Sequence, residues 1–152
     1  MLFRSETTVI VDQQLHGIDV DMADCSDTAQ TLAAVAVYAK GPTSVRGIGF
    51  IRFKEIDRVS AVVTELQRCG VDAHHDPDGF TVTPLIPFGI APCVIETSND
   101  HRMAMSFSLL GLAAPGIAIA DPGCVRKTFP NFFSVLESLR PSGAVPNETE
   151  TL

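Results

Sequence analysis

An α/β fold is the class this sequence predicts, on three observations. Short β-branched or apolar runs alternate with stripes of helical period, in the order strand, helix, strand, helix, strand, strand, then strand, helix, strand, helix. A helix-end, glycine, strand junction recurs at Ala39-Lys40-Gly41, Arg68-Cys69-Gly70 and Ala114-Pro115-Gly116, which suggests repeated units. The 152 residues, 45% hydrophobic with a net charge of −7, suit one globular domain, which buries roughly 68–70% of its unfolded surface. Such a chain is too apolar for intrinsic disorder.

The elements follow in order. Thr7-Thr8-Val9-Ile10-Val11 is β-branched and reads as a strand. From Asp27 to Ala39 the chain is apolar and alanine-rich, a buried helix capped by Ser26 or Asp24 and stopped at Gly41-Pro42. Thr43 to Ile48 reads as a strand. Glu55 to Cys69 is amphipathic, with Ile56, Val59, Val63 and Leu66 on one stripe and Gly70 as terminator. Asp76-Pro77-Asp78-Gly79 is a turn between strands Asp72–His75 and Phe80–Thr83. After a link spaced by Pro84, Pro87 and Pro92 comes a third helix, capped by Asn99 or Asp100, with Met103, Phe107 and Leu110 inward. Ile117–Ala120 is a short buried strand. Phe132, Val135, Leu136 and Leu139 recur at helical spacing from about Asn131, and the polar tail 141–152 is expected to be flexible.

No apolar run reaches the ~18 residues that a membrane span needs, and the N-terminus lacks the layout of a secretory signal. A soluble, cytoplasmic protein with no membrane partner is expected. Cys25, Cys69, Cys93 and Cys124 form no C-x-x-C pair and are read as unpaired structural thiols. His74 and His75 are adjacent on a strand, so their rings point to opposite faces, and no metal is expected. An acidic balance argues against nucleic acid. The acids and bases are unevenly spread: six acids and no base lie between Glu6 and Asp27, while six of the eleven bases are Arg52, Lys54, Arg58, Arg102, Arg126 and Lys127.

Those bases carry the chemistry. A helix N-terminus already holds about half a positive charge, so a cation there costs roughly 0.3–1 kcal/mol without an anion to share. Lys54 and Arg58 flank the start of the second helix, Arg102 lies in the first turn of the third, and Arg126-Lys127 immediately precede the fourth. Brought together, they form a phosphate or carboxylate pocket. Each has an ordinary alternative: Lys54 and Arg58 pairing with Glu55 or Asp57 on the surface, Arg102 pairing with Asp100, Arg126-Lys127 solvated in a loop. Asp27 is either a helix-capping acid or a fixed, ionised base for a hydroxyl proton. Glu55, between Lys54 and Arg58, is also favoured as the anion.

Four stretches carry a family resemblance: Asp24-Cys25-Ser26-Asp27-Thr28-Ala29-Gln30-Thr31-Leu32-Ala33, Arg52-Phe53-Lys54-Glu55-Ile56-Asp57-Arg58, Asn99-Asp100-His101-Arg102-Met103-Ala104-Met105, and Asp121-Pro122-Gly123-Cys124-Val125-Arg126-Lys127-Thr128-Phe129-Pro130. In order and spacing they resemble the 3-phosphoshikimate 1-carboxyvinyltransferase (EPSP synthase) family, from about Thr7 to Arg140. The sister UDP-N-acetylglucosamine enolpyruvyl transferase shares the fold but is not expected to show the third and fourth motifs.

The resemblance implies repeated βαβαββ-type units of the enolpyruvyl transferase fold, an inside-out α/β barrel, here truncated. Residues 1–140 would be part of a C-terminal domain, and the N-terminal domain would be missing. It implies transfer of the enolpyruvyl group of phosphoenolpyruvate to the 5-hydroxyl of shikimate 3-phosphate, with release of phosphate and without a cofactor. Asp27 would be the base toward the hydroxyl and Glu55 would move the proton at the pyruvyl carbon. Lys54, with Asp27, would bind shikimate 3-phosphate; Arg58, Arg102 and Lys127 would hold phosphoenolpyruvate. Phe50 stands where some members carry a polar substrate contact. With half a cleft, the chain alone is expected to be inactive. The alternative is a non-catalytic anion-binding module that complements a separate N-terminal half.

Overall fold

A computed structural model describes residues 14–84 and 89–139. The strand expected at 7–11 and the tail 141–152 lie outside them. Strand β1 (Asp19–Asp21) leads through a 3-10 turn (Ala23–Thr28) into helix α1 (Ala29–Ala36). Strand β2 (Thr43–Arg46) leads through a second 3-10 turn (Gly49–Phe53) into helix α2 (Arg58–Arg68), and the hairpin β3 (Asp72–His75) and β4 (Phe80–Thr83) follows. These make a four-stranded sheet in the order β1-β2-β4-β3, with β1 parallel to β2 and the others antiparallel. Val45 pairs with Val20 on one side and Phe80 on the other, so its buried side chain sits at the centre of the sheet.

The pattern then restarts. Strand β5 (Cys93–Ile95), helix α3 (His101–Phe107), strand β6 (Ile117–Ile119), a 3-10 turn (Pro122–Lys127) and helix α4 (Phe132–Ser138) repeat the first unit's order, and β5 is again parallel to β6. The expected βαβαββ unit is therefore complete once. The repeat has its βαβα half among the described residues.

The core lies between the first sheet and its helices. Val59, Val62, Val63 and Leu66 of α2 are buried beside Ala33 and Ala34 of α1, and each large aliphatic side chain removed from water contributes about 1.5–3 kcal/mol. Alanines let α1 approach α3 closely. The Thr31 and Ser106 hydroxyls bond across that contact at 2.9 Å, and Tyr38 Oη donates to the Leu110 carbonyl at 2.8 Å. The two units are thus packed helix to helix, which places the starts of α2 and α3 near one another.

Several boundaries moved. The first helix was expected from Asp27, with Ser26 or Asp24 as cap; α1 instead begins at Ala29, no side chain caps it, and Asp27 lies in the 3-10 turn before it. The second helix was expected from Glu55, but Asp57 accepts from Ser60 N at 2.9 Å, which makes Asp57 the cap and leaves Glu55 outside. Asp100, rather than Asn99, caps α3. Cys69 and Cys93 are not free thiols: they form a disulfide with Cα atoms 5.6 Å apart. Ala91 N donates to the Cys69 carbonyl at 2.9 Å, so the returning chain brings Cys93 to the end of α2. Cys25 and Cys124 remain unpaired.

Candidate active site

Four elements end at one place. The 3-10 turn before α1 carries Asp27; the bend before α2 carries Lys54 and Glu55, and α2 opens with Arg58. The first turn of α3 carries His101 and Arg102, and the 3-10 turn before α4 ends with Lys127. Together with Thr128 these residues line an open cavity of about 260 Å³. All six site residues expected from the sequence border it.

Arg58 is the hub. Its guanidinium is 2% exposed yet meets three carboxylates: Nε donates to Asp100 Oδ2 at 2.8 Å, Nη2 to Glu55 Oε2 at 2.9 Å and Nη1 to Asp27 Oδ1 at 3.3 Å. Arg102 donates through Nη2 to Asp27 Oδ2 at 2.8 Å and through Nη1 to the Asp27 carbonyl at 3.1 Å. Lys127 Nζ donates to Glu55 Oε1 at 2.7 Å. Lys54 is exposed at the end of its 3-10 turn and makes no ion pair among the described residues. Four cations thus face three carboxylates, and each of the pocket's two acids lies between two cations.

The electrostatics follow from those distances. The Lys127 hydrogen bond, Glu55's own backbone N–H and the charge of Arg58 hold the Glu55 carboxyl at a pKa of about 2, below its ordinary 4.5. Burial pushes the His101 imidazole down; Asp100 and Glu55 oppose that shift, and Arg102 and Lys127 add to it. His101 is accordingly neutral at pH 7, and its Nδ1 is buried without a partner among the described residues.

Lys127 departs from the expected placement at a helix start. Arg58 and Arg102 do stand in first helical turns, but Lys127 sits in the last turn of its 3-10 helix, and α4 begins only at Phe132. At a C-terminal end a cation is favoured rather than penalised, so Lys127 owes its place to Glu55 and not to an unmet helix charge. The ordinary alternatives also changed partners. Arg58 pairs with Glu55 while buried instead of on the surface; Asp57 is taken by Arg52 and Ser60; Arg102 reaches Asp27, while its backbone N–H takes Asp100. His101 and Thr128 were not singled out by sequence reasoning. His101 lies within the third family motif but was given no role, although Asp100 and Arg102 on either side were the available signal.

The sequence profile of the family described as EPSP synthase (3-phosphoshikimate 1-carboxyvinyltransferase) matches residues 3–136. A protein of that name from Nostoc sp. is 52% identical over 84% of this chain, which covers 29% of the Nostoc protein. The chloroplastic one from Brassica napus is 45% identical over 84% of this chain and 24% of its own length. Among solved structures, EPSP synthase from Acinetobacter baumannii superposes with a TM-score of 0.74 at 30% identity, over 82% of this chain and 30% of that one. The enolpyruvyl transferase NikO from Streptomyces tendae, 21% identical with a TM-score of 0.65, shares the fold. The chain therefore spans only about a quarter to a third of the length of these curated relatives. With the profile covering nearly all of it, this chain belongs to the EPSP synthase family.

Proposed function

We propose that residues 1–140 form part of the C-terminal domain of a cytoplasmic 3-phosphoshikimate 1-carboxyvinyltransferase and supply one wall of its cleft. The observation that carries this reading is the convergence of Lys54, Arg58, Arg102 and Lys127 with Asp27 and Glu55 around one cavity. Phosphoenolpyruvate carries a phosphate and a carboxylate, and guanidinium forks match both groups. Arg58, Arg102 and Lys127 hold it; Lys54, which makes no ion pair among the described residues, takes the phosphate of shikimate 3-phosphate.

The chemistry then proceeds in two stages. Asp27 accepts the proton of the 5-hydroxyl as its oxygen bonds to C2 of phosphoenolpyruvate, while Glu55 delivers a proton to C3. The adduct next loses a proton from C3 as the C2–O bond to phosphate breaks, which gives the enolpyruvyl ether and inorganic phosphate. A glutamate with a pKa of about 2 is ionised at pH 7 and holds no proton to deliver. A bound phosphate that draws Lys127 away from Glu55 and adds negative charge beside it raises that pKa and makes the acid competent. Substrate binding therefore prepares the proton donor.

The test pairs the chain with the full-length protein. The full-length enzyme is expected to form the enolpyruvyl product, the 152-residue chain alone to form none, and full-length Glu55→Gln to lose on the order of 10²–10⁴-fold in kcat, the usual scale of general acid–base catalysis. Full-length protein that binds phosphoenolpyruvate without turnover would favour the anion-binding module instead.

A further inference from the structure

Asp100 stands apart from the other carboxylates of the site. It is 0% exposed and caps α3, its Oδ1 accepting the Arg102 backbone N–H at 2.8 Å. Capping alone asks only for a side-chain oxygen, which serine, threonine or asparagine supply equally well. A fully buried carboxylate is costly unless a cation meets it. Arg58 does so: Nε lies 2.8 Å from Oδ2 and Nη2 lies 3.5 Å from Oδ1, so Asp100 grips the guanidinium by its inner edge.

The outer edge faces the cavity. There Nη1 and Nη2 contact Asp27 and Glu55, whose side chains are 48% and 34% exposed and open to exchange for a ligand. Asp100 cannot be exchanged in that way. Arg58 belongs to the first βαβαββ unit and Asp100 to the second, 42 residues on, so this pair also sets the two units in register at the cleft.

We propose that Asp100 is a positioning residue for the anion site: one buried carboxylate orients the Arg58 guanidinium edge-on and, through the α3 cap, holds the turn that carries Arg102, so that both arginines meet a single small phosphorylated carboxylate. The identity of that ligand rests on the function proposed above; the geometry does not.

Two arms test it. In the full-length enzyme, Asp100→Asn keeps the cap and one acceptor, whereas Asp100→Ser keeps only the cap. KM for phosphoenolpyruvate is expected to rise about tenfold in the first and further in the second, and in both to rise by more than KM for shikimate 3-phosphate, because Lys54 hangs on another turn and that substrate feels the arginines only through Asp27. Asp100→Asn added to Arg58→Lys, which lacks the Nε edge, should cost less than about twofold more. Unchanged KM values with a lowered yield of active enzyme, or additive effects in the double variant, would overturn the proposal. The second arm needs no turnover: by NMR of the 152-residue chain, the Arg58 Nε–H should exchange slowly with water and lose that protection in Asp100→Ser. Fast exchange in the wild-type chain would also overturn the proposal. Full-length protein that makes no product while Nε–H protection depends on Asp100 would sink the proposed reaction and leave the positioning role standing.

Discussion

Glu55 sits between Lys127 at 2.7 Å and Arg58 at 2.9 Å, and its depressed pKa has a thermodynamic consequence. A carboxylate more acidic in the folded than in the unfolded chain contributes stability above its ordinary pKa, and that contribution fades as pH falls through the folded value. The window runs from about 4.5 down to about 2. Denaturation midpoints followed from pH 6 to pH 2 should fall less steeply in Glu55→Gln than in the wild-type chain. Equal slopes would mean that the Lys127 pair gives no net stabilisation. At this scale uneven charge pointed to the right stretches of chain but not to single residues: Arg52 and Arg126 of the same clusters do not line the cavity, and the six expected residues that do were picked out by the family resemblance. Asp100 was legible as a cap or as a partner of Arg102 but not as the partner of Arg58, because an N-cap aspartate looks the same in sequence whichever cation its second oxygen meets.

The hairpin β3–β4 shows what sequence can resolve among elements. Its bounds match the expectation because Asp76-Pro77-Asp78-Gly79 is an unambiguous turn, in which Asp76 Oδ1 accepts the Asp78 and Gly79 N–H groups at 2.8 Å each. Gly79 also passes so close to β2 that a Cβ would lie 1.8 Å from the Val45 carbonyl oxygen. Gly79→Ala should therefore part β2 from β4 and lower the melting temperature by at least several degrees, as any change of 1 kcal/mol or more does in a domain of about this size; an unchanged melting curve would show that the approach is looser. Helix starts were less legible. Ile56 continues the apolar stripe of α2 N-terminally, but whether Asp57 or an earlier residue caps depends on a hydrogen bond to Ser60 that no periodicity encodes. The Cys69–Cys93 bond was illegible for a related reason: the contact depends on where a 24-residue excursion returns.

At the scale of the molecule, the two units differ in completeness. The first has four paired strands; among the described residues, β5 and β6 have only each other. Beside β6 an open groove of about 560 Å³ is lined by Leu112, Ile117, Ile119, Phe133 and Leu136, and no residue of α4 is fully buried. Phe53 is 89% exposed and Leu139 74%. Uncovered strand edges and apolar patches favour association, so the isolated chain should run larger than a monomer in size-exclusion chromatography, increasingly so with concentration. A single concentration-independent monomer peak would count against this. Of the enolpyruvyl transferase architecture, the repeat was legible through strand and helix order, while the open edge of the second sheet was not, because strand order within a sheet depends on contacts distant in the chain.

The internal ion pairs of the cleft have one more effect, on diffusional capture. Asp27 and Glu55 already cancel much of the field of Arg58, Arg102 and Lys127, and the chain as a whole is acidic. Seen from beyond a Debye length, about 10 Å at 0.1 M salt, this wall offers an approaching anion little attraction. Under the function proposed above, recognition begins at contact, when the incoming groups take over cations that the protein's own acids had been occupying, and with a net charge of −7 on the chain the encounter rate should not fall as salt is added.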